Sequence, residues 1–513
     1  MKQKLKNKDF SNNRLISKEP LSIGFLRSVL EFPDRQAMFI NNQYYTYIEF
    51  LNIVYYVFKQ LPDEKKEKNI GIYCNDDIFT YASIVAINLY GAAYVPLNAN
   101  FPEARNRNII KQCDLKLILT SNYFPNKNSE GTVLLDISLE KSKEEIVFDK
   151  HWILNFTESN YIDHSIAYIL FTSGSTGEPK GVPVSNSNLN HFFNFFLNNY
   201  DFNEKDKFLQ VYELTFDVSV FSFFMPLIVG ACCYVLPTNQ IKYSNIIQQI
   251  KEHEITVVSM VPTVLRFLEK YLKDISLPSL RLSLFSGDVL YHSLAVKWSH
   301  AIPNAEIHNF YGPTETTIVC TRYIWNESES ETESVNDIVP LGKAFDGMEI
   351  LIVNENNLQY EKGELCFYGE QVISSYLNNA NEDKFFIYQG KRYYKTGDIV
   401  SVDNKGNLLF YGRNDDQVKI NGYRIELKEI EFVIEQQIHF NVKVICVSDD
   451  KKINSLVAFI ETNKLDVEDL KEKLSILLPN YMIPRKFILL ESFPLNINGK
   501  VDKNVLLNLY QDA

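Results

Sequence analysis

The sequence predicts an α/β protein: a large N-terminal domain of mixed sheets and helices, then a small C-terminal α+β domain. Between Phe25 and Leu236, short apolar runs suited to buried strands alternate with longer helix-like stretches, the pattern of parallel sheets with helical crossovers. The alternation continues through ITVVSMVP (Ile255 to Pro262) and LRLSLFSG (Leu280 to Gly287). Near GRNDDQ (Gly412 to Gln417) the chain changes character and enters about 100 residues with their own helices and strands. The predicted domains are therefore 1–413 and 414–513.

In chain order, MKQKLKNKDFSNNRL is basic but lacks the apolar core of a signal peptide, so a frayed start and a cytoplasmic protein are expected. Ile70 to Cys74, Leu115 to Thr120 and Ala167 to Phe171 read as strands, and a nucleotide site is expected in loops that follow strands. Val218 to Leu236 is nineteen residues without a charge, long enough to span a bilayer. Pro226 and Gly230 interrupt it, and a helix ending near one of them, followed by a buried strand ACCYVL, accounts for it equally well. The acidic run NESESETESVN (Asn326 to Asn336) reads as a solvated surface loop.

Composition narrows the function. Of 513 residues, 45% are hydrophobic and 23% charged, ordinary for a soluble globular protein. The formal net charge of −12 argues against a general nucleic-acid binder, because phosphate contacts need a basic surface. Seven scattered cysteines with no CxxC pair suit a reducing compartment and offer no zinc pattern.

The stretch FTSGSTGEPKG (Phe171 to Gly181) has the makings of a phosphate cradle. Glycine lets backbone N–H groups converge on an anion, Thr172, Ser173, Ser175 and Thr176 add hydroxyls, and Lys180 adds a charge. Counting from Gly174 puts Pro179 where a Walker loop needs its second glycine, so that pattern fails. A flexible linker has similar composition, and other segments must decide.

NFYGPTETT (Asn309 to Thr317), GELCFYGEQVISSYL (Gly363 to Leu377), YKTGD (Tyr394 to Asp398), GRNDDQVKINGYRIEL (Gly412 to Leu427) and NGKVDK (Asn498 to Lys503) follow in order, with GAAYVPLNANFPEAR (Gly91 to Arg105) before them and LPNYMIPRKF (Leu478 to Phe487) among them. Together these segments resemble the signatures of the adenylate-forming enzymes, and more narrowly the amino-acid adenylation domains of nonribosomal peptide synthetases, over about residues 20 to 508. The resemblance implies ATP and Mg²⁺ as cofactors and makes FTSGSTGEPKG, including Gly177, a mobile loop over the ATP phosphates.

Forming an acyl adenylate brings a carboxylate to the α-phosphate of ATP, so cations and a metal must offset like charges. The resemblance makes Glu315 the magnesium ligand, and a hard carboxylate oxygen suits Mg²⁺ bridging phosphates; alone it could be a solvated turn carboxylate. It implies that Tyr311 faces adenine, Asn309 pairs with the purine edge, Thr314 donates to the α-phosphate, Gly287 and Asp288 border the nucleotide, Asp398 takes the ribose hydroxyls and Arg413 reaches ribose or phosphate. Asp398 could otherwise be a turn or helix-start residue. Lys180 and Lys500 are the implied catalytic cations, Lys500 bridging the substrate carboxylate and α-phosphate as a compact ammonium can. The small domain is then mobile, pivoting at Asp415 to deliver and withdraw Lys500; adjacent Asp416 leaves a one-residue ambiguity, and Ser375 stands where the family usually has glycine.

Asp217 in TFDVSVF is implied to hold the substrate α-ammonium, a use that fatty-acid ligases lack; the alternative is an N-cap for the apolar segment that follows. Motif alignment places Val218, Phe221, Ser259, Leu284, Ser286, Phe310, Ile318 and Val319 around the substrate, each apolar member being equally explicable as core. Such a pocket, mostly apolar with two hydroxyls, disfavours acidic and basic side chains and suits a small or medium neutral amino acid, with serine, alanine and a branched aliphatic open. The chain carries no carrier-domain motif after Lys500, so the implied acceptor is the phosphopantetheine thiol of a separate carrier protein, with no nucleic-acid or membrane partner. D-Alanine:carrier-protein ligases, in which cysteine is expected at the position of Ser286, and acyl-CoA synthetases are the alternatives within the fold. A non-catalytic nucleotide-binding scaffold is the alternative outside it.

Overall fold

The computed structural model describes residues 20–63, 67–75, 77–121, 131–137, 150–157, 165–174, 178–236, 242–354, 361–379, 382–449, 452–495 and 501–512. The chain forms two compact units interleaved in sequence. One comprises residues 1–98, 113–170 and 182–412; the other comprises 99–112, 171–181 and 413–513.

The larger unit is built on two long sheets and a smaller one. In the nine-stranded sheet, Glu306–Tyr311, Leu282–Phe285, Val257–Met260, Lys207–Gln210, Cys232–Val235 and Gln36–Ile40 run parallel in that spatial order. Antiparallel strands close its flanks, Thr321–Trp325 on one side and Gln43–Thr46 on the other. The parallel strands are short and almost wholly buried, so they read as continuous apolar runs rather than alternating ones. A six-stranded sheet has the order Val133–Asp136, Leu117–Thr120, Asn69–Cys74, Ala93–Asn98, Ile166–Thr172 and Lys180–Ser185. The Gly-rich loop thus joins the last two strands at an edge of this sheet. A third sheet contains Met348–Val353, Lys362–Gly369, Lys391–Val402, Phe385–Tyr388 and Leu408–Arg413.

The uncharged segment is a helix, Val218–Val229, followed by the strand Cys232–Val235. It ends at Gly230, not at Pro226. Gly230 adopts φ +79°, and a Cβ there would lie 2.4 Å from the Phe32 ring, so glycine both stops the helix and admits its neighbour. Pro226 sits inside the helix, where its ring nitrogen cannot bond the carbonyl of Ser222; that oxygen instead accepts the Cys233 thiol at 3.6 Å. Among the described residues no helix is long and apolar enough to cross a membrane.

The acidic run is not a loop. Glu327–Glu333 is a helix whose N-cap, Asn326, accepts the Glu329 N–H, and Glu327 and Glu329 in its first turn favour the positive helix end. Tyr323 donates to Glu333 at 2.7 Å, and Lys405 pairs with Glu329 and Glu333.

In the smaller unit, the hairpin Gln417–Ile420 and Tyr423–Glu426 precedes the helix Leu427–Ile438. A three-stranded sheet of Val442–Ser448, Asn454–Glu461 and Lys486–Leu490 follows, with helices Val467–Leu477 and Lys503–Asp512. Ile430, Ile434, Val444, Ala458, Leu470 and Leu474 form its own core.

Candidate active site

In the larger unit, the predicted residues gather where strands of the nine-stranded sheet end, the usual ligand position in a parallel sheet. Glu306–Tyr311 carries Asn309, Phe310 and Tyr311, and the turn after it carries Thr314 and Glu315. Leu282–Phe285 runs into Ser286, Gly287 and Asp288, while Ser259 lies on the intervening strand Val257–Met260. Ser259 registers with Leu284, and Phe285 with Asn309.

The nucleotide-side residues are locked by hydrogen bonds. Tyr311 donates its hydroxyl to Asp398, and both are buried. Asp398 lies inside the strand Lys391–Val402, which removes the turn and helix-start alternatives. Asn309 donates its amide nitrogen to the carbonyls of Pro340 at 2.9 Å and Val339 at 3.5 Å, so any pairing with a purine falls to its carboxamide oxygen. Asp288 accepts the Thr263 hydroxyl at 2.6 Å and the Val289 N–H at 2.8 Å.

Glu315 is 1% exposed, so it is no solvated turn carboxylate. Its Oε1 accepts the hydroxyl of Tyr376 at 2.7 Å. After it, Thr317 and Ile318 adopt φ +59° and +70°, unfavourable for β-branched residues. Gln371 holds this turn: its side-chain nitrogen donates to the carbonyls of Thr316, Thr317 and Val319 at 3.1, 3.2 and 2.8 Å, and its own carbonyl accepts the Thr317 hydroxyl at 2.6 Å. Neither Tyr376 nor Gln371 has a role that the sequence alone reveals, although both fall within GELCFYGEQVISSYL.

Asp217 is buried, stands in the first position before the helix Val218–Val229, and makes no side-chain cap bond there. The N-cap alternative therefore fails. Burial raises the phenols of Tyr94, Tyr168 and Tyr212 well above their ordinary range, and the Asp217 charge adds to the rise in each. All three stay neutral hydroxyls around one carboxylate. Val218, Phe221, Leu284, Phe310, Ile318 and Val319 belong to one buried cluster, in which Phe196 lies 4.6 Å from Phe221 and 5.4 Å from Phe310 between ring centres.

In the smaller unit, Ser173 donates to the Arg424 carbonyl at 2.9 Å and accepts the Glu426 N–H at 3.0 Å. Gly174 donates its N–H to Glu429 at 3.1 Å, and the other Glu429 oxygen pairs with Arg105 at 2.9 Å. Burial raises the Glu429 carboxyl above its usual range, with Arg105 and the Gly174 N–H opposing the rise. A Cβ on Gly174 would meet the Glu178 carbonyl at 1.8 Å, so the loop closes only on glycine. Thr172 is half-buried and Lys180 buried. Arg413 makes a paired bond to Asp415, at 2.7 and 2.8 Å. Asp416 faces Lys503 and Lys443; burial would raise its carboxyl, yet these lysines hold it below the ordinary range. Ser175, Thr176, Gly177 and Lys500 lie outside the described residues. Arg105 and Glu429 were unassigned from sequence; Arg105 ends the motif GAAYVPLNANFPEAR.

Residues 25–377 match the family of AMP-binding enzymes. The chain belongs to that family. This AMP-binding enzyme is 32% identical over 495 residues to a D-alanine–D-alanyl carrier protein ligase of Lactococcus lactis subsp. lactis (strain IL1403), covering 92% of this chain and 96% of that one. It is 30% identical to gramicidin S synthase 1 of Brevibacillus brevis over 94% of its own length, but spans only 44% of that protein. In structure it is similar to the Vibrio cholerae adenylation domain AlmE, solved in complex with glycyl-adenosine-5′-phosphate, with TM-score 0.82, 27% identity, and coverage of 98% and 99% of the two chains.

Among the described residues no group of three or more His, Cys, Asp and Glu is arranged to hold a metal. That donor set still fits Mg²⁺, which commonly takes one or two carboxylates and completes its shell with substrate phosphates and water. Glu315, buried and oriented by Tyr376, is such a carboxylate.

Proposed function

We propose that this AMP-binding enzyme uses ATP to activate a small or medium neutral amino acid and transfers the aminoacyl group to the phosphopantetheine thiol of a carrier protein. The observation that carries this reading is Asp217, a buried carboxylate that makes no side-chain cap bond to the helix it precedes and whose charge reaches the buried, neutral phenols of Tyr168 and Tyr212. A carboxylate so placed suits a substrate ammonium, and a charge-assisted bond of this kind is worth about 1.5–3 kcal/mol. The carrier is read as a separate protein by analogy with the Lactococcus ligase. None of the seven cysteines forms a disulfide, in keeping with a cytoplasmic setting.

In the first half-reaction, an oxygen of the amino-acid carboxylate attacks the α-phosphorus, the bond from that phosphorus to the bridging oxygen breaks, and pyrophosphate leaves. Asp217 holds the ammonium, Asp398 the ribose hydroxyls, and Tyr311 the adenine face. Mg²⁺, held by Glu315, would supply charge neutralisation on the phosphates. Lys180 and Lys500 add cationic charge as the two anions meet, and Thr172, Ser175, Thr176 and Gly177 of the Gly-rich loop donate to the leaving group, while Ser173 and Gly174 fix the base of the loop through Arg424 and Glu429. In the second, the thiolate attacks the acyl carbonyl and AMP leaves. Rotation about Asp415 withdraws Lys500 between the two.

The test is ATP–pyrophosphate exchange with the standard amino acids, D-alanine and several simple carboxylic acids. Exchange driven by a neutral amino acid is expected. Silence with every amino acid and turnover of a simple acid would move the activity to the acyl-CoA branch; silence throughout would favour a scaffold.

A further inference from the structure

Beside Asp217 the fold buries hydroxyls that it does not use. The hydroxyls of Tyr212 and Ser286 are buried and form no hydrogen bond of good geometry within the protein, although the Ser259 and Ser286 hydroxyls lie near enough to Tyr212 to oppose the rise of its phenol. Tyr212 follows the strand Lys207–Gln210, Ser259 lies on Val257–Met260 and Ser286 follows Leu282–Phe285, three adjacent strands in parallel register. Continued past the strand ends, the registers set Tyr212, Ser259 and Ser286 on one face of the sheet, and the Asp217 charge reaches the Tyr212 phenol. Its placement is rigid. Gln210, itself buried, donates to the Tyr212 carbonyl at 3.0 Å and accepts the Tyr212 N–H at 3.2 Å.

Buried polar groups are nearly always satisfied, and exceptions at a binding pocket are groups awaiting a ligand. We propose that Tyr212, with Ser259 and Ser286, reads the substrate side chain, and that the substrate is a short hydroxyl-bearing amino acid, serine or threonine. This rests on the reading of Asp217 as the ammonium site. A side-chain hydroxyl both donates and accepts, as a ring of hydroxyls requires, whereas alanine or valine would leave Tyr212 and Ser286 unpaired on binding.

The experiment is exchange on the full chain with serine, threonine, alanine and valine, comparing the native enzyme with Tyr212→Phe and Ser286→Ala, with melting temperatures recorded for each. The native enzyme should prefer serine or threonine to the apolar amino acid of matching size by at least about 10-fold in kcat/KM, since a site built to bond a hydroxyl rejects the analogue lacking it. Each variant should lower that ratio several-fold, chiefly through KM. Exchange with alanine or valine but not serine or threonine, or a ratio near one that neither variant moves, overturns the inference and leaves amino-acid activation standing. No exchange with any amino acid overturns the reading on which it rests.

Discussion

Replacing Tyr376 by phenylalanine removes one oxygen from the candidate metal site and little else. That oxygen donates to Glu315 at 2.7 Å, with the Tyr394 hydroxyl 3.5 Å beyond it. Glu315 is 1% and Tyr376 2% exposed, so bulk water is poorly placed to replace the lost donor. A hydrogen bond to a charged group is worth about 1.5–3 kcal/mol. At about 1.4 kcal/mol per decade, its full expression in the transition state is about 10- to 150-fold in kcat/KM. Groups that orient a metal ligand typically cost 10–100-fold when removed, in the same range. Tyr376→Phe should therefore lower pyrophosphate exchange about 10- to 100-fold and raise the Mg²⁺ concentration needed for half-maximal rate. Exchange across a magnesium series, alongside thermal melting, separates orientation from folding. A variant with native magnesium dependence, whose loss follows its lower melting temperature alone, would refute the assignment of Glu315 as an oriented metal ligand.

Asp217→Asn keeps the shape and removes the charge, so exchange with the amino acid should fall about 10- to 150-fold while a deaminated analogue loses far less; equal losses for both would contradict an ammonium site. Gln371→Leu removes three bonds to carbonyls, each worth about 0.5–1.5 kcal/mol, so stability should fall by about 2–4 kcal/mol in thermal melting and the amino-acid KM should rise. Arg105→Met strips the cation from a buried carboxylate and should cost about 3–5 kcal/mol, with Glu429→Gln in the same chain restoring most of it. The sign with pH follows from the raised Glu429 carboxyl: its contribution is full below the unfolded value and is lost as pH rises through the folded one, so Arg105→Met should regain stability as pH is lowered toward the ordinary glutamate value of 4.5. Melting the variant across that range checks it.

The strands and the Gly-rich turn were legible because each announces itself locally, whereas Asp217 drew notice only through the resemblance of TFDVSVF. Ile70 to Cys74 is apolar enough to be a buried strand wherever it occurs, and FTSGSTGEPKG carries its donors within eleven residues. Tyr376, Gln371, Tyr212 and Glu429 carry no such local mark. The Glu315–Tyr376 bond spans 61 positions and the Arg105–Glu429 pair 324, so their meaning comes from tertiary placement. The acidic helix Glu327–Glu333 was misread for a related reason. Its apolar period is absent, and what holds it is a cap at Asn326 together with Tyr323 and the distant Lys405.

The short segment from Thr314 to Val319 joins the residues proposed for the nucleotide to those proposed for the amino acid. Glu315 at its start is the proposed metal ligand, while Ile318 and Val319 at its end belong to the buried cluster that holds the proposed substrate residues. Two successive left-handed β-branched residues, Thr317 and Ile318, make the turn between them. Such a conformation costs about 1–3 kcal/mol per residue and persists only where its surroundings impose it. Gln371 imposes it, bonding carbonyls on both sides of the strained pair. A relaxed turn would release Glu315 and Ile318 at once. The strain therefore ties the proposed metal and substrate positions to one rigid element, and a substitution that frees the turn should weaken both binding events rather than one.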